Sequence, residues 1–281
     1  MGGSLKLMVG VDLGGTRTKA VALEQGRLVS CVCLPTTDPI SSLAGALGKL
    51  LYATKASLSD VAGLAVTGGG VRQAEEVFGI KPTRVDEIRS IGLGGVFLSG
   101  KKRALVASIG TGTALVRVED SGARVEHVGG TGVGGGTIRG LGYYMLRRQS
   151  FESLRRLASR GSPLKVNVTV GDIAGGPVGI IPPEETASNF GKISEDALEE
   201  DVAAGIFRMV GEVVGTVAYF AAKAYGLERD IVVVGSPAAE PPLKSAILHT
   251  IRLFGGEATV PEHAEYAPAI GAAKHIAEAT S

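Results

Sequence analysis

Aromatic side chains are scarce: they make up 5% of the chain, and tryptophan is absent. Single-stranded nucleic acid is held largely by aromatic stacking, so that partner is disfavoured. An excess of one charge is lacking too. Lys and Arg total 29 against 28 Asp and Glu, a net charge of +1, so no global field draws the chain to nucleic acid or an anionic membrane. Only two cysteines occur, Cys31 and Cys33, and we read both as free thiols in a reducing compartment. The four histidines, His127, His249, His263 and His275, are scattered without metal-ligand spacing. No uninterrupted apolar run reaches the length of a membrane span, and no apolar leader opens the chain. A Walker loop and a Gly-x-Ser-x-Gly elbow are both missing, which sets aside P-loop enzymes and serine hydrolases. The expectation is a soluble, cytoplasmic protein with no nucleic-acid or membrane partner.

What the chain has in excess is glycine: 42 of 281 residues, gathered in runs and without a collagen period. The first run organises the rest. Val9-Gly10-Val11-Asp12-Leu13-Gly14-Gly15-Thr16-Arg17-Thr18-Lys19 reads as strand, tight turn and second strand. Gly14 and Gly15 carry no Cβ, so backbone N–H groups can approach a phosphate closely. Thr16 adds a hydroxyl and Lys19 a flexible cation, while Asp12 suits hydrated Mg²⁺ beside the terminal phosphates of a nucleotide. The layout recurs. An apolar strand over residues 61–67 ends in Thr67-Gly68-Gly69-Gly70; another ends in Ile109-Gly110-Thr111-Gly112-Thr113 and returns; a third ends in Val234-Gly235-Ser236. We read the Ile109 turn as the opening of a second, homologous lobe, giving lobes at residues 1–102 and 103–281 that grip a nucleotide between them.

Around these turns the pattern predicts strands over residues 5–11, 19–24 and 28–34, a helix over 39–55 capped by Ser41 or Ser42, and a short helix over 71–78. Asp86 and Glu87 open a further helix, where the macrodipole favours acids; one of them could deprotonate a hydroxyl. The densest glycine run, residues 129–137, feeds a helix over 138–148, so we expect an anion site at that helix N-terminus. A long helix is expected over 194–225, capped by Ser194, with Gly211 and Gly215 allowing a neighbouring helix close. It reads as a core or dimer helix. Residues 241–254 and 268–280 close the chain as helices.

Taken together, Asp-x-Gly-Gly-Thr, Ile-Gly-Thr-Gly-Thr and Val-Gly-Ser, in that order, resemble the two-lobed actin, hexokinase and sugar-kinase superfamily. The run Val128-Gly-Gly-Thr-Gly-Val-Gly-Gly-Gly-Thr-Ile-Arg-Gly-Leu-Gly142, with Thr186-Ala-Ser-Asn-Phe-Gly191 downstream, is similar to type II pantothenate kinases over nearly the whole chain. The resemblance implies an α/β fold of two ribonuclease-H-like lobes around a nucleotide cleft. It implies ATP-dependent phosphorylation of the primary hydroxyl of pantothenate, the first step of coenzyme A biosynthesis, in a homodimer. By position, Asp12 would organise Mg²⁺ through water, and Gly14, Gly15, Thr16 and Lys19 would bind the β- and γ-phosphates. Gly110, Thr111 and Gly112 would form the second phosphate hairpin. Gly134, Gly135 and Gly136 would line the nucleotide, with Gly235 and Ser236 near adenosine. Glu87 would be the general base, with Asp86 next, and Thr113, His127 and Gly129 would lie by the substrate. His127 stands where the family usually has an arginine, which keeps open a related kinase with another alcohol acceptor. A nucleotide-dependent ATPase activator is the other alternative; Cys31 and Cys33 are few and early for the cysteine-ligated cluster such proteins often carry.

Overall fold

The computed structural model describes residues 6–71 and 76–280. Among the described residues, the strands and α-helices of the first half are β1 (Leu7–Leu13), β2 (Arg17–Glu24), β3 (Arg27–Pro35), α1 (Pro39–Thr54), β4 (Val61–Thr67), β5 (Thr83–Arg84) and α2 (Glu87–Ser99). They give a sheet in the order β3-β2-β1-β4-β5, with β1, β2 and β3 antiparallel and β4 and β5 parallel to β1. The second half contains β6 (Ala104–Ile109), β7 (Thr113–Glu119), β8 (Arg124–Thr131), α3 (Gly135–Leu146), α4 (Phe151–Ala158), β9 (Val168–Thr169), α5 (Val170–Ala174) and β10 (Thr186–Ser188). It ends with α6 (Glu199–Ala224), β11 (Ile231–Val234), α7 (Pro241–Leu253), β12 (Ala258–Thr259) and α8 (Ala267–Thr280). Its sheet runs β12-β11-β6-β7-β8, the same order and the same antiparallel and parallel pattern as the first. The recurrence seen in the glycine turns is therefore a recurrence of whole sheets.

The central strands β1, β6 and β11 are largely buried on both faces, and their period of two sorts the side chains. Leu7, Val9, Val11 and Leu13 of β1 pack with Leu43, Leu47 and Leu50 of α1. The alternate residues face α8, and Gly10 lets that helix approach so closely that a Cβ there would lie 2.0 Å from the Ala269 carbonyl oxygen. Likewise Leu105, Ala107 and Ile109 of β6 join the core under α6 and α7. Val106, with Val232 and Val234 of β11, packs against Ile91 and Val96 of α2. Two helices are thus exchanged between halves. The α2 helix follows the first sheet but packs on the second, and α8 follows the second sheet but packs on the first. A division of the chain at residue 102 places α8 with the second lobe, although its contacts are with the first sheet.

The expected long helix begins later than the sequence suggested. Ser194 caps nothing; α6 starts at Glu199, with Leu198 as N-cap, and Glu199, Glu200 and Asp201 supply first-turn negative charge. By length and composition α6 could cross a membrane, but 67% of its apolar window is buried inside the protein. Its Gly211 and Gly215 sit against Ala246 and Thr250 of α7, so the close helix–helix approach occurs within the chain. Asp38, rather than Ser41 or Ser42, caps α1 by accepting from the Ser41 amide at 2.8 Å. The helix expected over 71–78 falls partly outside the described residues; beyond them Val77 and Ile80 bridge across a Phe78-Gly79 turn. Cys31 and Cys33 are both free thiols, on the same face of β3.

Candidate active site

The two sheets present their strand ends to a shared cleft of about 410 Å³, within the range of ligand pockets. Twelve of the residues singled out from the sequence line it: Asp12, Gly14, Gly15, Thr16, Lys19, Glu87, Gly110, Thr111, Gly135, Gly136, Gly235 and Ser236. Among the described residues, the first hairpin leaves its tip amides unbonded, while in the second the Gly110 amide donates to the Gly112 oxygen at 2.8 Å. In the first, Thr36 ties down the carbonyls: its hydroxyl donates to the Gly14 oxygen at 2.7 Å and its amide to the Thr16 oxygen at 3.0 Å. No described residue accepts from the N–H groups of Gly14, Gly15 or Thr16. In the second, the carbonyls of Gly110 and Thr111 accept from the amides of Gly135 and Gly136 at 2.9 and 2.8 Å.

That last pairing corrects the anion site expected at the start of α3. The Gly134 amide donates to the Thr137 hydroxyl and the next two amides to the hairpin, so none of the three is offered to a ligand. The glycines are there because helix and hairpin meet backbone to backbone. A Cβ on Gly134 would lie 2.6 Å from the Gly112 oxygen, and one on Gly135 2.9 Å from the Gly110 oxygen. Gly112 and Gly134 hold this junction and do not line the cleft, and Gly129 to Thr131 continue β8.

Three further residues assigned to substrate lie elsewhere. Thr113 is buried and donates to the Val133 carbonyl at 2.8 Å, a structural task. His127 is exposed on β8 opposite Val116. Gly129 opposes Leu115 beside the register shift of that strand pair. None of the three lines the cleft.

The acids divide by geometry. Asp86 is the N-cap of α2, and its carboxylate accepts from the Arg89 amide at 3.0 Å. Glu87, one residue on, lines the cleft. Asp12 sits at the foot of the cleft on β1, in register with Thr67 of β4 and Lys19 of β2. Burial pushes its pKa up to about 6; Lys19 pulls it down, and the charge of Glu87 raises it further. Gly68 makes room for this carboxylate: it adopts φ +90°, and a Cβ there would lie 2.6 Å from Asp12 Oδ1.

Gly68 and Gly69 were legible as another strand-end glycine turn but were not assigned to the site. Arg17, Arg139, Phe151, Glu240 and Glu265 also line the cleft. Arg17 and Arg139 fall inside two of the glycine motifs without having been given a role there; Phe151, Glu240 and Glu265 share no motif, so nothing local marks them. Burial raises the pKa of Glu240; Arg155, and Arg17 of the opposite lobe, lower it.

Two sheets of identical order around a cleft lined by glycine hairpins define an actin- or hexokinase-type two-lobed protein. The Fumble family model matches residues 103–275, and that of the BadF/BadG/BcrA/BcrD ATPase family matches residues 9–171. A type II pantothenate kinase of Oceanobacillus iheyensis is 26% identical over 272 residues, covering 94% of this chain and 97% of that protein. A type II pantothenate kinase of Bacillus cereus is 30% identical over 216 residues, covering 73% and 74%. Among solved structures, the activator of the 2-hydroxyisocaproyl-CoA dehydratase from Clostridium difficile, with bound ADPNP, superposes with a TM-score of 0.68 at 19% identity, covering 98% of this chain and 97% of that one. The chain belongs to the Fumble family, and with it to the type II pantothenate kinases.

Proposed function

We propose that this cleft transfers the γ-phosphoryl group of ATP to the primary hydroxyl of pantothenate, the first step of coenzyme A biosynthesis. The observation that carries the reading is the meeting, in one cleft, of Asp12, Lys19 and Glu87 with two hairpins from opposite sheets. The free amides of Gly14, Gly15 and Thr16, with the Lys19 ammonium, hold the β- and γ-phosphates. Thr111 offers its amide from the second hairpin, and Gly235 and Ser236 flank the adenosine. Glu87 accepts the hydroxyl proton as that oxygen bonds to the γ-phosphorus and the bridging oxygen leaves with ADP.

The site fits Mg²⁺. The Asp12 carboxylate has no described hydrogen-bond donor, its pKa is raised, and the neighbouring Thr67 hydroxyl is buried without a described partner. Asp12 would hold the ion through water, and the ion would supply charge neutralisation along the phosphate chain. We place the protein in the cytoplasm as a homodimer; the free Cys31 and Cys33 support the first, and the exposed apolar residues Ile173, Ile180 and Leu198 of the second lobe support the second.

Glu87→Gln tests the assignment. Pantothenate-dependent ADP release falls by about 10²–10⁴-fold while ATP affinity is kept. Full turnover in that variant refutes Glu87 as base, and faster ADP release with a sugar than with pantothenate refutes the acceptor.

A further inference from the structure

Among the described residues, three cations line the cleft: Arg17 and Lys19 on the first sheet and Arg139 on α3. The next four arginines after Arg139 are engaged. Arg147 lies over the Tyr143 ring, Arg148 pairs with Glu199, and Arg155 and Arg156 pair with Glu152. Arg139 is exposed and has neither an ion-pair nor a hydrogen-bond partner among the described residues.

Its position on the helix gives the guanidinium a target. A helical side chain leans toward the N-terminus and covers the turn before its own Cα. For Arg139 that turn is Gly135 and Gly136, which carry no side chains and are bonded to the tip of the second hairpin. The same bonds consume the amides of α3 that an anion would otherwise meet. On this side of the cleft the α3 glycines have no amide to give, and a planar guanidinium matches two phosphate oxygens at once.

We infer that Arg139 binds the phosphate chain of the nucleotide from the second-lobe side, opposite the first hairpin and Lys19. The inference rests on the reading of the cleft as the nucleotide site. It makes Arg139 a contributor to affinity for the phosphorylated nucleotide and gives it no part in recognition of the base.

Calorimetric titration with adenosine, ADP and ATP, at low and moderate salt, tests this on the wild type, Arg139→Gln and Arg139→Lys. Thermal melts of the ligand-free variants serve as the folding control. The expected result is a loss of about ten-fold or more in ADP and ATP affinity for Arg139→Gln, with adenosine affinity unchanged. Partial recovery is expected in Arg139→Lys, and a weaker salt dependence in the Gln variant. Wild-type ADP affinity in Arg139→Gln overturns the inference. So does an equal loss for adenosine and ADP, which assigns the side chain to the nucleoside. A wild-type protein that binds no nucleotide overturns the reading of the cleft, and the inference with it.

Discussion

Replacing Asp12 by Asn should stabilise the ligand-free protein while removing its activity. The reason is the location of the carboxylate at the foot of the cleft, where burial raises its pKa from 3.8 to about 6. An acid whose pKa is higher folded than unfolded holds its proton better in the native state. Folding is therefore progressively disfavoured as pH rises from about 4 to 6, and the full penalty persists above that range. A shift of about two units corresponds to about 3 kcal/mol. At about 2–4 °C per kcal/mol for a chain of this size class, the upper limit of the effect is about 6–12 °C. Thermal melts of wild type and Asp12→Asn across pH 4.5–8, without nucleotide, isolate this group because other titrations cancel in the difference. The Tm advantage of the variant should grow as pH rises through 6 and level off above it. Adding Mg²⁺ and ADP should reverse the order by stabilising the wild type alone. A Tm difference independent of pH, or a variant less stable than wild type at pH 8, refutes the argument that Asp12 is strained by burial.

Two other substitutions probe the packing. Gly94→Ala places a Cβ 1.8 Å from the Ala267 carbonyl oxygen, a backbone contact that no rotamer relieves, and should cost about 3 kcal/mol or more in urea unfolding. A wild-type midpoint for that variant means α2 and α8 separate freely. Arg208→Gln leaves Glu185, whose side chain is 7% exposed, without the guanidinium that bonds it at 2.7 Å. His249 is then its one remaining described ion-pair partner, and a loss of about 3–5 kcal/mol is expected. A loss below about 1 kcal/mol shows that Glu185 is solvated or re-paired in the variant.

Much of the site was readable because backbone does the work there, and backbone work leaves a local signature. A tight hairpin tip at a strand end calls for glycine, so Gly14-Gly15-Thr16 and Gly110-Thr111 announce themselves as cleft residues. The same signature misled at residues 134–136. Glycine is required wherever two backbones touch, and there the partner is the second hairpin itself. Side-chain contributions were harder. Asp86 and Glu87 are adjacent acids, and only the cap geometry separates the one committed to an amide from the one facing the cleft. The start of α6 was misplaced because Ser194, Glu195 and Asp196 have the composition of a helix entry, while the chain reaches the helix axis only at Glu199.

The exchange of helices between sheets ties the proposed chemistry to the relative position of the lobes. Asp12 and Lys19 stand on the first sheet, but Glu87 begins a helix whose apolar face is buried on the second, against Val106, Val116 and Val232. In turn α8, anchored on the first sheet through Ala269, Ile270 and Ala273, crosses α2 where Gly94 meets Ala267 and Gly271 meets the Ser90 carbonyl at 1.8 Å from an added Cβ. Contact at that distance is backbone on backbone, with no flexible side chain to absorb a displacement. Any sliding of one lobe over the other must therefore pass through this crossing, and it moves Glu87 relative to Asp12 and Lys19. On the proposed assignment, the crossing sets the distance between the base and the phosphate it serves. Glycine at 94 and 271 then matters to catalysis as well as to stability.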